Sequence, residues 1–288
     1  VLTWPMVFNR NTRDATVTVN AVDGFFVFQK AILDSLLAHE MRLDDPYIWL
    51  RLGDGQAVDD GTAHLNGVSG FLTGADPTSG IPFGSSTAVE FQGGDQLSIS
   101  AGAPFPAFPF TVEFWMETEG KPGELTNNME PVNILGGLGS GRDTHVYFDG
   151  QTITAKTIGP GYESTAAAAT PAGTGRVHVV AEFEGTSTTI TVTPGGTDTQ
   201  SATGTPPSGT NANATITIGY SGFILPFDAF VADWINALLF PFTGTIDEFA
   251  VYDVALGATR IEAHANAGLY GGPDAPLGIP PGGGLATA

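Results

Sequence analysis

The run FTGTIDEFAVYDVAL at residues 242–256 constrains this chain more than any other stretch, because apolar residues alternate through its first part and then spread to a wider spacing. Alternation sets one face of a strand in a core, and a period lengthening toward 3.6 marks the change to a helix. The following ATRIEAHANAG, residues 258–268, carries that helix to a glycine. A strand, a turn and one or two helical turns are expected in that order.

Strand-like pieces of the same kind stand upstream. They are YIWLRLGD at 47–54, TAVEFQGGDQLSI at 87–99, FTVEFWM at 110–116 and VHVVAEF at 177–183, with the loop-like DDGTAHLNG at 59–67. In these words and in this order the chain resembles the laminin-G-like (LamG-like) jelly roll of the concanavalin A-like lectin/glucanase superfamily. That family closes on a phrase of the type F-x-G-x-I-D-E-V-x-I-Y-x-x-A-L followed by a helix and a Gly. It opens on a strand and a D-x-S-G-x-G-x-x-G loop, and has G-x-A-x-x-F-x-G-x-D-x-V-x-V, F-T-x-x-x-W-V and W-H-V-A-A-x-F between. The resemblance implies an all-β fold: an antiparallel jelly-roll β-sandwich over residues 47–268 with a short C-terminal helix. It implies no particular ligand.

Composition agrees on separate grounds. Gly (39) and Pro (20) are abundant, strands rich in Val, Ile, Phe and Thr are short, and turn residues recur between them as in an antiparallel sandwich. Asp149-Gly150, between HVYF at 145–148 and TITA at 152–155, predicts a two-residue hairpin of type I′, whose central residues need positive φ. No charged linker breaks residues 47–268, so one core is expected. With 10 Lys+Arg against 30 Asp+Glu the net charge is −20, which repels phosphate backbones and argues against a nucleic-acid partner. Charged residues are only 14% of the chain, which leaves a surface of Thr, Ser, Asn, Gly and Ala. Such a surface suits work outside a cell or in a rigid assembly. Without cysteine, cross-links contribute nothing to stability. The opening VLTWPMVFNR lacks the basic-then-apolar order of a secretory leader.

Three parts fall outside the jelly-roll pattern. Residues 1–46 hold a polar arm and then an amphipathic stretch at 24–40 with Phe25, Phe28, Ile32, Leu33, Leu36 and Leu37 on one helical face. That face needs a cover, either the chain's own sandwich or another subunit. Residues 223–242, FILPFDAFVADWINALLFPF, form an apolar insertion too short between prolines and too broken by acids to cross a membrane. A helix over 228–240, with Asp228 as N-cap, places Phe230, Trp234 and Leu238 on one face. An apolar patch of this size invites association. Phe25, Phe28, Ile32, Leu36, Phe230, Trp234 and Leu238 are therefore the expected contacts of a homo-oligomer, the alternative for the insertion being a lid on its own core. Residues 269–288 are a Gly/Pro-rich tail without periodicity.

Chemistry is sparsely marked. Retaining glucanases need two carboxyl groups about 5–5.5 Å apart, supplied in this superfamily by an E-x-D-x-x-E strand. Glu113 and Glu117 share a strand face, but Trp115 stands where the motif has its Asp, and Glu182 with Glu184 supplies only two acids. All four read as solvated strand positions, and no catalytic residue is assigned. His39, His64, His145, His178 and His264 carry no nucleophile signature. The resemblance implies one rim Ca²⁺ on Asp59, Asp60, Asp95 and Asp247, hard oxygen donors suited to that ion. The other reading of these acids is turn chemistry and amide capping. Sugar binding would draw on Arg142, His145, Tyr147 and Tyr220, and on Trp115, though packing in the core or sheet face is the better reading of Trp115 and Tyr147.

LamG-like domains recur in minor tail proteins of tailed bacteriophages, and LTWPMVFNRNTRD at residues 2–14 resembles the first residues of such proteins from phages of actinobacteria. The expected function is a non-enzymatic virion protein, docked to other tail proteins by its N-terminal region, whose jelly roll meets host-surface glycans. The alternative is a secreted bacterial carbohydrate-binding or adhesion module, and behind it stands a glycoside-active enzyme.

Overall fold

The alternating segments pair into two sheets in a computed structural model, which describes residues 36–52, 71–73, 76–79, 81–82, 87–92, 95–100, 105–118, 128–135, 143–170, 175–208, 214–219, 239–240 and 242–270. One sheet comprises β1 (Ile48–Leu50), β3 (Asp76–Ser79), β4 (Thr87–Phe91), β6 (Phe110–Thr118), β11 (Arg176–Phe183), β12 (Ser187–Thr193), β13 (Thr197–Ser201) and β17 (Gly244–Tyr252). Its order is β13-β12-β11-β6-β17-β4-β3, with β1 also paired to β17. The other comprises β2 (Phe71–Thr73), β5 (Gln96–Ser100), β7 (Asn128–Leu135), β8 (Asp143–Phe148), β9 (Thr152–Gly159), β10 (Tyr162–Ala169), β14 (Thr203–Gly204), β15 (Thr215–Ile218) and β16 (Leu239–Phe240). Its order is β14-β10-β9-β8-β7-β15-β5-β2, with β16 on β7. Among the described residues the helices are α1 (Leu36–Leu43) and α2 (Ala258–Tyr270). The all-β sandwich expected from the sequence is what forms.

Alternation decides what each strand buries. On β6, Phe110, Val112, Phe114 and Met116 enter the core between the sheets, where they meet Phe91, Val146, Phe148, Ile216 and Ile218. The other face of β6 is buried as well: Trp115 joins Trp49, Ala88, Ala250 and Tyr252 in a second cluster, covered by Leu37, Ala38 and Met41 of α1 and Ala267 of α2. Burying each large side chain of this layer stabilises by roughly 1.5–3 kcal/mol. Helix α2 can lie this close because Gly268 has no side chain; a Cβ there would stand 2.1 Å from Cζ2 of Trp115.

The helical face at residues 24–40 is thus covered, in its described part, by the chain's own sheet. Leu36, expected at a subunit contact, packs half-buried against this cluster, because Trp49, Trp115 and Tyr252 form an apolar outer face that itself needs cover. Phe25, Phe28, Ile32, Phe230, Trp234 and Leu238 lie outside the described residues. Where a helix was expected to run to residue 240, Leu239 and Phe240 instead pair in parallel with Asn128 and Met129 of β7. Pairing to β7 beyond the end of β15 engages their backbone groups, which local propensity does not register. The hairpin at β8–β9 forms one residue later than expected. Asp149 accepts the N–H groups of Gln151 (2.9 Å) and Thr152 (2.6 Å) on Oδ1, and the central pair is Gly150-Gln151. Only Gly150 of that pair has positive φ (91°), the pattern of a type II′ turn rather than I′.

The Ile-Asp-Glu of the closing phrase forms a bulge, with a register shift between Asp247 and Ala250 and φ of 48° at Glu248. Asp247 Oδ2 accepts the N–H of Ile81 at 3.0 Å and Oδ1 that of Glu248 at 2.8 Å. Glu248, turned by the bulge toward β1, accepts Trp49 Nε1 at 2.8 Å. Burial pushes the Glu248 carboxyl up, against the lowering pull of Arg51.

Candidate functional site

The two sheets turn different chemistry outward. On the helix-covered face, β6 places Glu113 beside β11 and β17, and α2 drops His264 onto it. Glu113 Oε1 accepts His178 Nε2 at 2.7 Å, Oε2 accepts Tyr252 Oη at 2.7 Å, and His264 Nδ1 lies 3.0 Å from both oxygens. Burial would raise the Glu113 carboxyl, but the charge of His264 and hydrogen bonds from His178 and His264 outweigh it and hold the group well below the usual carboxylate range. His264 is lowered by burial and raised more strongly by Glu113 and Asp44, and ends above its ordinary value. Burial and the Glu113 charge push the Tyr252 phenol well up.

A clasp joins the helices over this network. Arg260 Nε bonds both Asp44 oxygens at 2.9 and 2.8 Å, and its Nη2 lies 2.9 Å from Glu40 Oε2. His264 Nε2 stands 2.8 Å from Asp44 Oδ2 as an ion-pair approach rather than an aligned hydrogen bond. Glu113, His178 and His264 are all 0% exposed, so the constellation can transfer no proton to a substrate as it stands. The expectation that Glu113 is a solvated strand acid is overturned, since two helices cover its face. Glu182 is largely buried too, and accepts the N–H of Gly257 at 2.8 Å just before α2. Glu184 is exposed and the Glu117 side chain half-exposed, as expected of solvated strand positions.

The outer face of the nine-stranded sheet is polar. Adjacent strands align Ser98, Thr217, Asn133, His145, Lys156 and Thr165 in one transverse row over β5, β15, β7, β8, β9 and β10. Their strand neighbours Leu97, Ile216, Val132, Val146, Ala155 and Ala166 point into the core, so the row faces away from it. One row further along, Tyr147 stands opposite Thr154. A register shift between Met129 and Val132 brings Glu130 onto the same face. There Glu130 Oε1 accepts the Nδ1–H of His145 and, at 3.1 Å, the Nδ2–H of Asn133. Lys156 Nζ pairs with Glu163 Oε1 at 2.7 Å. Glu130 Oε2, Asn133 Oδ1 and Thr165 Oγ1 are buried with no hydrogen-bond partner, a condition that costs about 1–3 kcal/mol for each group. Burial raises the Tyr147 phenol, with a hydrogen bond to Thr154 acting the other way.

Of the residues named from sequence, His145 and Tyr147 share this face, while Arg142 and Tyr220 lie outside the described residues. Glu130, Asn133 and Lys156 were missed. Alternation could have placed Asn133 and Lys156, but nothing in the sequence announces the shift that turns Glu130 outward. Of the four acids named for Ca²⁺, two are among the described residues and both hold main-chain amides. Asp59 and Asp60 lie outside the described residues, Asp95 Oδ2 accepts the N–H of Gln92 at 2.8 Å, and both Asp247 oxygens hold main-chain amides. Among the described residues no group of three or more His, Cys, Asp or Glu side chains is placed to hold a metal, so these residues do not by themselves fit the ion.

The family model of the concanavalin A-like lectin/glucanases superfamily matches residues 91–262. No curated protein matches the chain. Among solved structures, the binding domain of botulinum neurotoxin DC in complex with SialylT is similar at a TM-score of 0.54 and 10% identity, over 79% of this chain and 52% of that one. The botulinum neurotoxin serotype D/C VPI 5993 binding domain gives 0.55 and 11%, over 79% and 53%. The binding domain of Paraclostridial Mosquitocidal Protein 1 gives 0.50 and 12%, over 78% and 52%. The match spans about half the length of these neighbours, and at such identity the likeness is one of fold. With a two-sheet antiparallel sandwich closed by the Ile-Asp-Glu strand and its helix, and the family pattern running from β4 into α2, the chain belongs to the concanavalin A-like lectin/glucanases superfamily.

Proposed function

We propose that the chain is a non-enzymatic, lectin-like virion protein of a phage tail that engages glycans of the host surface through the outer face of its nine-stranded sheet. The observation that carries the binding role is the transverse polar row with Tyr147 beside it, on a sheet face without covering helices among the described residues. Neutral polar groups around an aromatic ring are the chemistry that sugars meet. The absence of a catalytic role rests on the sealing of Glu113, His178 and His264 under α1 and α2. The neighbour solved with SialylT is built on the same scaffold. The tail setting rests on the sequence resemblance of residues 2–14, and assembly with itself and other tail proteins on Phe25, Phe28, Ile32, Phe230, Trp234 and Leu238. A structural Ca²⁺ in this reading belongs to the loop acids Asp59 and Asp60 rather than to Asp247.

Mass spectrometry of purified virions, paired with glycan-array binding by the isolated chain, tests both halves. The chain is expected in the particle and on the array. Array binding by a chain absent from every virion transfers the reading to a secreted carbohydrate-binding or adhesion module, whose site would be this same face. Release of reducing ends from a glycan panel overturns the non-enzymatic half.

A further inference from the structure

We propose that β13 pairs edge to edge with β13 of a second copy, antiparallel about Thr199, so that the eight-stranded sheets of two copies run on as one. This contact is separate from the apolar segments and from whatever the nine-stranded sheet binds.

The open edge follows from the ladder. Val192 N–H donates to Gly196 C=O at 2.9 Å and Ala202 N–H to Thr186 C=O at 2.8 Å, at either end of the β12–β13 register. Bonded positions alternate in an antiparallel pair, so Asp198 and Gln200 also turn their backbone groups toward β12. Thr197, Thr199 and Ser201 turn theirs away, and all three residues are exposed. Among the described residues β13 has β12 as its one sheet neighbour. Hydroxyls tie the two strands together, with Thr199 Oγ1 3.0 Å from Thr189 Oγ1 and Thr197 Oγ1 3.2 Å from Thr191 Oγ1.

The other sheet ends are blunted. The two sheet paths end on β13 and β3, and on β14 and β2. Strand β14 has two residues and β2 three, while β3 carries Pro77, which lacks an N–H. Shortness and proline are devices that keep an edge from recruiting strands. Strand β13, TDTQS, has five residues and neither Pro nor Lys. Its one charge is used elsewhere: Asp198 Oδ2 accepts Ala167 N–H of β10 at 3.0 Å, and Oδ1 accepts Gln200 Nε2 at 2.9 Å.

Register selects the partner. Antiparallel pairing through the outward groups can centre on Asp198, Thr199 or Gln200. The first sets two Asp198 carboxylates opposite each other, which destabilises, and the third leaves Thr197 without a partner in the strand. Centred on Thr199, Thr197 stands opposite Ser201 and Asp198 opposite Gln200, and every outward N–H meets a C=O of the other copy. The strand is thus complementary to itself about a two-fold axis, which makes a second copy its occupant.

The chain has no cysteine, so single substitutions report without background. Thr199→Cys should give a disulfide-linked dimer under mild oxidation. Thr197→Cys mixed with Ser201→Cys should cross-link about tenfold or more above either alone, because like positions 197 stand about 13 Å apart along the strands, beyond the roughly 7 Å that a disulfide spans between Cα atoms. Asp253→Cys, exposed at the end of β17, sets the collisional level. Thr199→Pro removes an outward N–H and leaves the β12 ladder intact; added to the mixed pair, it should cut cross-linking about tenfold, with Tm within a few degrees of the parent. Thr199→Val keeps the backbone and should leave cross-linking within about threefold. Sedimentation at about 0.15 M salt, where repulsion between acidic copies is screened beyond about 8 Å, should show mass rising toward a dimer with Kd of about 10 μM to 1 mM, as suits a small contact. Thr197→Cys linking to itself as fast as to Ser201→Cys, yields at the Asp253→Cys level, or no gain in mass up to about 1 mM would each refute the pairing. A dimer that Thr199→Pro leaves unchanged belongs to another surface and refutes it equally.

Discussion

Replacing Glu113 by Gln keeps the size of the side chain and removes its charge, and it strikes the most heavily bonded carboxylate among the described residues. Three donors from three elements converge on it: Tyr252 of β17, His178 of β11 and His264 of α2. An amide offers one acceptor oxygen where the carboxylate has two, so a donor from Tyr252 or an imidazole is left facing N–H₂. Removing one partner of a buried charged pair costs about 3–5 kcal/mol, a large share of the roughly 5–15 kcal/mol that holds a domain together. At about 2–4 °C per kcal/mol for a domain of this size, Tm should fall by about 6–20 °C near pH 6. The loss should depend on pH in two directions. Glu113 lies below its ordinary value of 4.5, so its stabilisation is present above pH 4.5 and fades as pH falls below it. His264 lies above its ordinary value of 6.5, so its share is complete below pH 6.5 and is lost as pH rises through the raised value. The gap between parent and variant is therefore widest between pH 4.5 and 6.5 and narrows on both sides. Thermal melts of both proteins from pH 3 to 9 measure it. A gap under about 2 °C at pH 6, or one that is flat across the range, refutes the account of this network.

Other outcomes follow from separate features. Gly268→Ala should destabilise by about 1–3 kcal/mol through overpacking against Trp115, and a raised Tm, as helix propensity alone would give, would show that the indole yields. If residues 223–242 form the proposed subunit contact, Trp234→Ser with Leu238→Ser lowers the mass in sedimentation while leaving the melt unchanged; a lowered melt with unchanged mass returns that segment to the chain's own core. If Asp59 and Asp60 hold Ca²⁺, chelator lowers Tm and added Ca²⁺ restores it, since a ligand bound to the folded state stabilises by mass action, and an identical melt in chelator removes the ion.

The strands were legible because alternation is a local consequence of burying one face. FTVEFWM became β6, VHVVAEF the body of β11, and the closing phrase β17. What alternation does not say is what covers the other face, and for that reason Glu113 read as solvated. The signal was nonetheless present in α2. Ile261, His264, Ala265 and Gly268 fall at the i, i+3, i+4, i+7 spacing of a buried stripe, and all four are buried. A histidine at that spacing needs hydrogen-bond partners beneath it, and Glu113 supplies one. The polar row was half legible, through His145 and Tyr147. Glu130 was not, because the β7 register shift depends on tertiary pairing. Asp247 was legible as a capping carboxylate, while the positive φ of Glu248 that turns its own carboxylate onto Trp49 was invisible in the letters Ile-Asp-Glu.

The placement of β17 bears on how the chain comes to be folded. The last strand among the described residues lies inside the eight-stranded sheet, with β6 along one edge and β4 and β1 along the other. Without β17 that sheet is β13-β12-β11-β6, β4-β3 and a lone β1, and the β6 and β4 edges have no partner for their N–H and C=O groups. Trp49 waits for Glu248 across 199 residues, and Asp44 for Arg260 across 216. Such long-range closure is slow, and open edges of this kind recruit other chains. Chain order therefore makes β17, the last strand of the described residues, the one whose synthesis joins the parts of this sheet.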